Sequence, residues 1–312
     1  MGENGGVQTR TLAIGAILGA GVLFGSTGTA QELGPDSATP AGVGAVRIVI
    51  GAAGLWLIAG ALPSRSTLRV APLAVLLGAI GVAVYQPAFF TGTDRLGVAL
   101  GTIVALGSAP AFAGCFEVVA GRAPSRWWMI GTVVSVGGGA LLVLSEGAGA
   151  RLDLLGLLGA LAAGAGYATY ALATKHLIER RVPGIVAAAW QFTIGALMLS
   201  PLLVVEPLAW IAEPSGLVMA LHLGLVCTAL AYALYGWGLR LVPTSTATTL
   251  TLAEPVTAAV LAIVVLGERL SAAGWLGVAV VVAGLAIVAS SGRRAVERTV
   301  TTRARSAGSQ IR

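Results

Sequence analysis

The sequence predicts an all-α polytopic membrane protein of ten transmembrane helices, arranged as two inverted five-helix repeats. Of its 312 residues, 56% are hydrophobic and only 10% are charged, whereas soluble domains carry about 25% charged residues. Ten apolar runs are long enough to cross a bilayer core of about 30 Å. The second half of the chain also repeats the first. Together these features exclude a soluble domain, a disordered chain and a disulfide-stabilised scaffold.

Charged residues and clusters of Pro and Gly bound the runs, and each run holds roughly the 20 residues that a membrane helix needs. The predicted spans are residues 11–31, 40–62, 70–92, 97–120, 125–145, 152–175, 184–206, 215–237, 244–266 and 271–290. They define a cytoplasmic tail at 1–10, a first repeat at 11–145, a second repeat at 152–290 and a basic cytoplasmic tail at 291–312. A cleaved signal peptide is the alternative for the first run, because Arg10 precedes it and residues 28–30 are small. The run is long for a signal peptide, and the repeat requires it as a span.

Lys and Arg are distributed unevenly between the predicted loops. With the N-terminus inside, fifteen of the 19 basic residues fall on the cytoplasmic side, and Arg95, Arg151 and Arg269 fall outside. Arg47 lies within a span. Cytoplasmic loops carry this excess of positive charge, so both termini are expected in the cytoplasm. The composition, rich in Ala, Gly, Val and Arg, is typical of a GC-rich bacterial genome, which predicts a bacterial inner-membrane protein.

The internal repeat has a nearly constant offset. Residues 94–96 match 239–241, and residues 108–110 match 253–255, both at a separation of 145. After a slip of one residue, a set of glycines in the first half also pairs with a set in the second: Gly121, Gly131 and Gly138 with Gly267, Gly277 and Gly284. Five spans per repeat place the second copy upside down in the membrane, an arrangement typical of secondary transporters. A duplicated membrane scaffold is the alternative.

The second repeat closes on a recognisable stretch. Residues 252–256 and 266–270, followed by Gly277 and Gly284, resemble the closing hairpin of an EamA-type repeat in the drug/metabolite transporter superfamily. The first-half counterpart around Pro110 and Gly121 resembles it too, and the likeness covers residues 11–290. It implies ten spans, cytoplasmic termini and export of amino acids, other metabolites or drugs. Two departures are Arg122, where the second repeat has Glu, and Phe24, where a tryptophan is often found.

Two corresponding prolines, Pro110 and Pro255, fall in the middle of their spans. Each removes a main-chain donor, and paired helix breaks mark the binding site in many transporters. Simple packing kinks are the alternative. Glu254 lies next to Pro255 at mid-membrane, where burying a carboxyl group costs free energy. It is therefore a functional candidate. It could exchange protons or bind an ammonium group. It could instead be structural, paired with Arg47 or capping the backbone loosened by Pro255.

Arg47 lies about 10 Å from the outer surface and could bind a carboxylate through two hydrogen bonds. The alternatives are extension of its side chain to the outer headgroups or pairing with Glu254. Further polar and aromatic groups within the spans could line a solute cavity or join helices by hydrogen bonds: Tyr85, Gln86, Tyr167, Tyr170, Trp190, Gln191 and Tyr232. Glu117 is expected to extend toward the cytoplasm, and Trp128 and Trp210 are expected in the interfacial belts.

No sequence signature of catalysis or cofactor binding is present. The chain has no G-x-x-x-x-G-K-[ST] motif and no H-E-x-x-H motif, and its only histidines, His176 and His222, lie far apart. An enzyme, a metal site and a cofactor are therefore not expected. The predicted function is secondary export of a small organic solute by alternating access, coupled to protons through Glu254. Export of amphipathic drugs or cations and an uncoupled facilitator or channel are the alternatives.

The expected partners are the small-molecule substrate, membrane lipid and protons. Nucleic acid is not expected, because the basic residues are scattered between apolar runs or gathered at the C-terminal end. Glycines at i and i+4 favour close helix packing, as in the pairs Gly15 with Gly19, Gly21 with Gly25, and Gly97 with Gly101. Such faces are compatible with either a monomer or a homodimer.

Overall fold

The computed structural model describes residues 3–60, 71–96, 98–122, 124–146, 153–267 and 269–309. Four of the basic residues counted for the orientation, and one glycine of a predicted packing pair, lie outside these residues: Arg65, Arg69, Arg151 and Arg312, and Gly97. The part of the chain that is described is helical and contains no strand. It has nine helices long and apolar enough to cross a membrane, together with a shorter apolar helix, Gly184–Leu199. The prediction of a polytopic all-α membrane protein is confirmed.

The first repeat contains helices α1 to α5, and the second contains α6 to α10. The first five are α1 (Glu3–Glu32), α2 (Pro40–Ala59), α3 (Pro72–Leu96), α4 (Val98–Val119) and α5 (Arg126–Glu146). The second five are α6 (Leu154–Glu179), α7 (Gly184–Leu199), α8 (Pro214–Gly238), α9 (Thr244–Leu266) and α10 (Ala272–Ser309). Helix α1 begins within the predicted N-terminal tail and α10 continues through much of the predicted C-terminal tail. Neither extension contains a proline that would interrupt the helical hydrogen bonds.

Local sequence signals explain where several helices begin and end. Thr39 caps α2 by accepting a hydrogen bond from the Gly42 amide, and Asp153 caps α6 by accepting one from the Gly156 amide. Gly121 and Gly267 follow the C-terminal ends of α4 and α9, and their φ angles are 76° and 74°. A left-handed φ favours glycine, which has no Cβ to clash with the following carbonyl. The two glycines matched in the sequence therefore perform the same task in the two repeats.

Helix α7 is shorter than the predicted span of residues 184–206. It ends at Leu199, and its 16 residues extend only about 24 Å. Pro201 has no amide hydrogen to continue the helical ladder, so the chain turns into a short helix, Leu202–Val205, and a 3₁₀ turn, Ala209–Ala212. Trp210 in this turn is buried rather than exposed at the membrane interface, which corrects its assignment to an aromatic belt.

Helix packing follows the symmetry of an inverted repeat. Helix α3 packs on α6 as α8 packs on α1, and α4 packs on α6 as α9 packs on α1. Helix α2 packs on α8 as α7 packs on α3. The pairs α2 with α7 and α5 with α10 are each made of two corresponding helices. Exchanging each helix with its partner five positions later therefore reproduces these main contacts, whereas the packing of α3 on α4 has no comparable counterpart between α8 and α9 in the described part of the chain.

Glycines allow α5 and α10 to approach closely. A Cβ at Gly138 would lie 2.6 Å from the backbone nitrogen of Val281, and a Cβ at Gly131 would lie 2.9 Å from the carbonyl oxygen of Gly284. Backbone atoms cannot move aside as a flexible side chain can. A Cβ at Gly139, by contrast, would have no neighbour within 4 Å.

These contacts give a matched pair of expected outcomes. Gly138→Ala should destabilise the protein by about 1–3 kcal/mol, because the added methyl group pushes α10 away from α5. Gly139→Ala should be neutral or slightly stabilising, since alanine favours a helix over glycine by about 0.5–1 kcal/mol. Thermal unfolding of both variants in the same detergent measures the difference. Equal melting temperatures would contradict close packing of α5 against α10.

Candidate functional site

A central cavity of about 80 Å³ lies between the two repeats. The first repeat contributes side chains from α1 to α4, and the second contributes them from α6, α8 and α9. The cavity extends from Gln31 and Phe90, near the C-terminal ends of α1 and α3, to Thr251 and Leu252 in α9. Its position at the contact between inverted repeats is where transporters bind solutes.

Helix α9 is interrupted at this cavity. Its first segment, Thr244–Leu250, and its second, Ala253–Leu266, are separated by a turn at Thr251 and Leu252. Pro255 accounts for the interruption, because its ring removes one amide hydrogen and clashes with the carbonyl of Thr251. Pro110, the corresponding residue, lies within a continuous α4. Of the two expected helix breaks, only the one in the second repeat, in α9, is therefore present.

Two charged side chains line the cavity, one from each repeat. Arg47 comes from α2, and Glu254 comes from the first turn after the break in α9. The Arg47 Nε atom is buried and has no hydrogen-bond partner in the described part of the chain. The ion pairs among the described residues are Arg95 with Asp153 and Arg122 with Glu179. Arg47 and Glu254 therefore share a cavity without forming an ion pair with each other.

Helix α1 comes close to Glu254 because of glycine. A Cβ at Gly25 would lie 2.6 Å from the carbonyl oxygen of Glu254, and one at Gly21 would lie 3.2 Å from the Cβ of Ala253. These two glycines, predicted to pack helices, hold α1 directly against the interrupted part of α9. The position of the Glu254 backbone thus depends on α1.

Aromatic rings form one wall of the cavity. Tyr232 is central, with ring centroids 4.5 Å from Phe192, 5.1 Å from Phe24 and 5.2 Å from Tyr170. Tyr167 donates a hydrogen bond from its hydroxyl to Thr251 Oγ1 at 3.3 Å, which links the wall to the break in α9. Such a wall can stack on apolar or cationic parts of a solute while the hydroxyl groups orient it.

The predicted site residues divide into three groups. Tyr85, Gln86, Tyr167 and Tyr232 line the central cavity with Arg47 and Glu254. Tyr170 lines a small adjoining recess of about 20 Å³, which shares Arg47 and Tyr232 with the cavity. Trp190 and Gln191 are brought to neither.

Gln191 and Trp190 are placed among packed helices. Gln191 is fully buried, accepts a hydrogen bond from Thr174 Oγ1 at 2.7 Å, and donates one to the Ala74 carbonyl at 3.4 Å. Trp190 packs edge-on against Trp56, with ring centroids 5.3 Å apart. Gln191 thus joins helices by hydrogen bonds, and Trp190 contributes an aromatic contact between α7 and α2.

Several cavity residues were not anticipated from the sequence. Phe24, Thr27 and Gln31 are spaced three and four residues apart, so they share one face of α1. This helical spacing is the sequence feature that indicates a shared face. Phe89 and Phe90 carry no comparable polar signal, since two adjacent apolar residues are ordinary in a membrane helix.

A layer of hydrogen bonds separates the central cavity from a second recess of about 460 Å³. In this layer Trp128 Nε1 donates to Thr249 Oγ1 at 3.1 Å, and the Thr132 and Thr249 hydroxyl oxygens lie 2.9 Å apart. Glu117 accepts hydrogen bonds from the Ser245 amide at 3.1 Å and the Ser245 hydroxyl at 2.6 Å. The layer joins α4 and α5 of the first repeat to the first segment of α9.

These contacts correct two sequence expectations. Glu117 is buried and bound to the start of α9 instead of extending toward solvent. The side chain of Trp128 is also buried and points into the bundle instead of lying in an interfacial belt. Both can be buried because hydroxyl and amide groups of α9 satisfy their polar atoms.

The second recess opens at one end of the bundle. We call this end the basic face, because the recess is lined by Arg10, Arg122, Lys175 and Arg240. Lys175 donates hydrogen bonds to the carbonyls of Leu239 and Val242, at 2.7 and 3.0 Å, and so ties α6 to the turn between α8 and α9. The opposite end is the acidic face, where Glu206 accepts a hydrogen bond from Thr39 and Glu213 accepts one from Ser37.

A polytopic helical protein whose inverted repeats surround a cavity, with a cationic side chain from one repeat and an acidic one from the other, has the architecture of a secondary transporter. Residues 11–144 and 154–290 both match the EamA-like transporter family. The chain belongs to this family, a bacterial transporter family of multi-pass membrane proteins. The resemblance to EamA-type drug/metabolite transporters is thereby confirmed.

Similar proteins carry transporter names. The uncharacterized transporter YwfM of Bacillus subtilis (strain 168) is 40% identical over 279 residues, covering 89% of this chain and 94% of that protein. A protein of Streptantibioticus cattleyicolor named as a probable terminal-alkyne amino-acid exporter is 28% identical over 280 residues, 88% of this chain and 93% of that one. A crystal structure with 22% identity superposes with a TM-score of 0.77 and covers 91% of this chain and 99% of its own, which shows the shared fold.

Proposed function

We propose that this chain exports small zwitterionic solutes, amino acids or related metabolites, across the bacterial inner membrane by alternating access. The observation that carries the proposal is the placement of Arg47 and Glu254 in one cavity without an ion pair between them. A solute with a carboxylate and an ammonium group supplies the missing partner of each. The similar protein named as an amino-acid exporter supports this class of substrate.

The chemistry of recognition follows from the two charges. A guanidinium binds a carboxylate with two parallel hydrogen bonds, and the buried Nε of Arg47 offers one of the donors. Glu254 accepts from the ammonium group. Burying a charge is costly unless it is paired, so a solute that neutralises both side chains is favoured over one that neutralises neither. The surrounding tyrosines then select for the shape of the side chain.

Alternating access is supported by a bonded layer of side chains on one side of the central cavity. The central cavity is separated from the basic face by the layer of Glu117, Trp128, Thr132, Ser245 and Thr249. We assign the basic face, with both termini, to the cytoplasm, because cytoplasmic loops carry an excess of Lys and Arg. Export then requires this layer to open, admit the solute and close again behind it.

Proton coupling is assigned to Glu254. A carboxyl group at this position must be paired or neutralised when the cavity contains no ammonium group, and protonation neutralises it. Exchange of a proton for a solute at one carboxylate couples an inward proton gradient to outward transport. Facilitated diffusion, and export of an amphipathic cation bound only by Glu254, are the competing mechanisms.

Counterflow in proteoliposomes tests the proposal. Vesicles are loaded with an unlabelled amino acid, and entry of the labelled compound is followed with and without a pH gradient. We expect saturable counterflow for zwitterionic amino acids and acceleration by the gradient. Non-saturable flux would favour a channel, counterflow of cationic dyes alone would favour drug export, and no flux of either class would favour a scaffold.

The layer of side chains between the central cavity and the basic face can be tested separately. Glu117→Gln should weaken the buried, charge-assisted hydrogen bonds to Ser245 by about 1.5–3 kcal/mol, which shifts the closed-to-open ratio by at least about tenfold. A cysteine placed at Thr246, which lines the recess, should then react faster with a maleimide in detergent, with Cys115 replaced by alanine. Glu213→Gln, which removes an exposed carboxylate of the acidic face outside the recess, is the control and should leave the rate unchanged. Identical rates in all three proteins would show that Glu117 does not hold the layer closed.

A further inference from the structure

A groove of about 590 Å³ opens on the outer surface of the bundle between α3 and α6. Its floor is apolar and formed largely by small residues and leucines, among them Ala74, Leu77, Leu172 and Ala173. The first two come from α3 and the last two from α6. Phe116 of α4 closes one side. Because this surface faces the bilayer, hydrocarbon chains are the surrounding medium.

One end of the groove is basic. His176 and Arg180 line it from the last turns of α6 and are exposed. They are four residues apart and therefore lie on the same helix face. Among the described residues that line the groove there is no Asp or Glu. The groove thus combines an apolar floor with a cationic rim at the level of the membrane surface.

The charged residues at the C-terminal end of α6 line two different cavities. Lys175 is directed to the carbonyls of Leu239 and Val242, and Glu179 is paired with Arg122 at 2.8 Å. Both interactions lie on the side of α6 that faces the recess of the basic face. His176 and Arg180 line the groove, whereas Lys175 and Glu179 line the recess, and Glu179 is bonded to Arg122 there.

The first repeat provides an internal comparison. Helices α2 and α7 correspond, and aligning them at a separation of 144, one residue less than between residues 94–96 and 239–241, pairs Arg47 with Gln191. At that separation His176 and Arg180 correspond to Glu32, at the end of α1, and Asp36, in the following turn. The same helix end is therefore acidic in one repeat and basic in the other. The reversal agrees with the excess of basic residues expected at the cytoplasmic surface, which is also where anionic lipid headgroups attract them.

We propose that the groove between α3 and α6 binds an anionic phospholipid, with an acyl chain on the apolar floor and the phosphate of the headgroup at His176 and Arg180. Basic pockets between membrane helices bind acidic headgroups in this way. Arginine suits a phosphate because its planar fork donates two hydrogen bonds. The site is independent of the central cavity, because the two share no lining residue.

The test compares phosphatidylglycerol with phosphatidylcholine of the same acyl chains, added to the delipidated full-length protein in detergent. Bound lipid is counted by native mass spectrometry, and the melting temperature is recorded. We expect phosphatidylglycerol to bind and raise the melting temperature more than phosphatidylcholine. The double variant His176→Gln with Arg180→Gln should bind it at least about tenfold more weakly. Arg181→Gln, an exposed neighbour that does not line the groove, is the matched control and should bind as the native chain does.

A second measurement locates the lipid. Phosphatidylglycerol with a photoreactive group on its acyl chain should label peptides containing residues 71–77 and 169–180, and the double variant should lose this labelling. Equal binding by the double variant and the native chain would overturn the proposal. If inorganic phosphate raised the melting temperature as much as phosphatidylglycerol does, the proposal would also fail, because the site would bind free anions. Cross-linking between two copies through a cysteine at Leu77 would overturn it too, by assigning the groove to self-association.

Discussion

Glu254→Gln is expected to abolish acceleration of transport by a pH gradient while leaving counterflow measurable. Glutamine preserves the size of the side chain and can accept a hydrogen bond, but it cannot take up or release a proton. Counterflow needs only the loaded carrier to change its orientation, so it does not require the protonated form. Loss of the negative charge should also raise KM for amino acids about tenfold, as expected when a charge-assisted hydrogen bond in a desolvated site is removed.

The measurement is initial uptake in proteoliposomes over a range of internal and external pH values. Glu213→Gln is a suitable control, because Glu213 is an exposed carboxylate of the acidic face, bonded to Ser37. That variant should retain the full response to the gradient. A normal response in Glu254→Gln would assign the coupling to another group, and the charge of Glu254 would then serve binding alone.

Arg47→Gln is expected to raise KM for amino acids by about tenfold to a hundredfold, with a smaller change in kcat. The guanidinium lies in the cavity with a buried donor, and replacing it removes charge-assisted hydrogen bonds of about 1.5–3 kcal/mol. Arg47→Lys should recover only part of the affinity, because an ammonium group lacks the planar fork that matches a carboxylate.

A substrate without a carboxylate separates this role from a structural one. The amine produced by removing the carboxylate of a transported amino acid should compete equally well in Arg47→Gln and in the native chain. Arg95→Gln provides the control, since Arg95 pairs with Asp153 at 3.6 Å outside the cavity and is about half exposed. If amino acid and amine lose affinity together, Arg47 shapes the cavity and does not bind the carboxylate.

Much of the architecture is predictable from the sequence because the bilayer restricts the possible structures. A membrane helix must satisfy its own backbone, so long apolar runs can be assigned to helices with little ambiguity. The matched glycines Gly121 and Gly267 were detected by the repeat alone, and the structure gives both the same left-handed φ. The early end of α7 at Leu199 was missed because Leu202–Val205 is as apolar as the helix before Pro201.

Side-chain roles were less predictable, because hydropathy does not show which face of a helix meets the cavity. Tyr167 and Gln191 look alike as polar groups at depth, yet one lines the cavity and the other is bonded to Thr174. Their difference depends on the rotation of α6 and α7 within the bundle. Glu117 was misplaced for a related reason, since its partner Ser245 is 128 residues away in sequence.

Under the proposed alternating-access mechanism, the pairing of helices between repeats implies that the inward-open and outward-open forms share many corresponding helix contacts. The cavity does not share that symmetry. The counterpart of Arg47 is Gln191, which is bonded within the bundle, and the counterpart of Glu254 is Ala109, which has no charge. The two repeats therefore contribute unlike groups to one cavity. Under the proposed mechanism the two conformations need not bind solute with equal affinity at the two membrane faces, while the direction of net transport is set by the gradient.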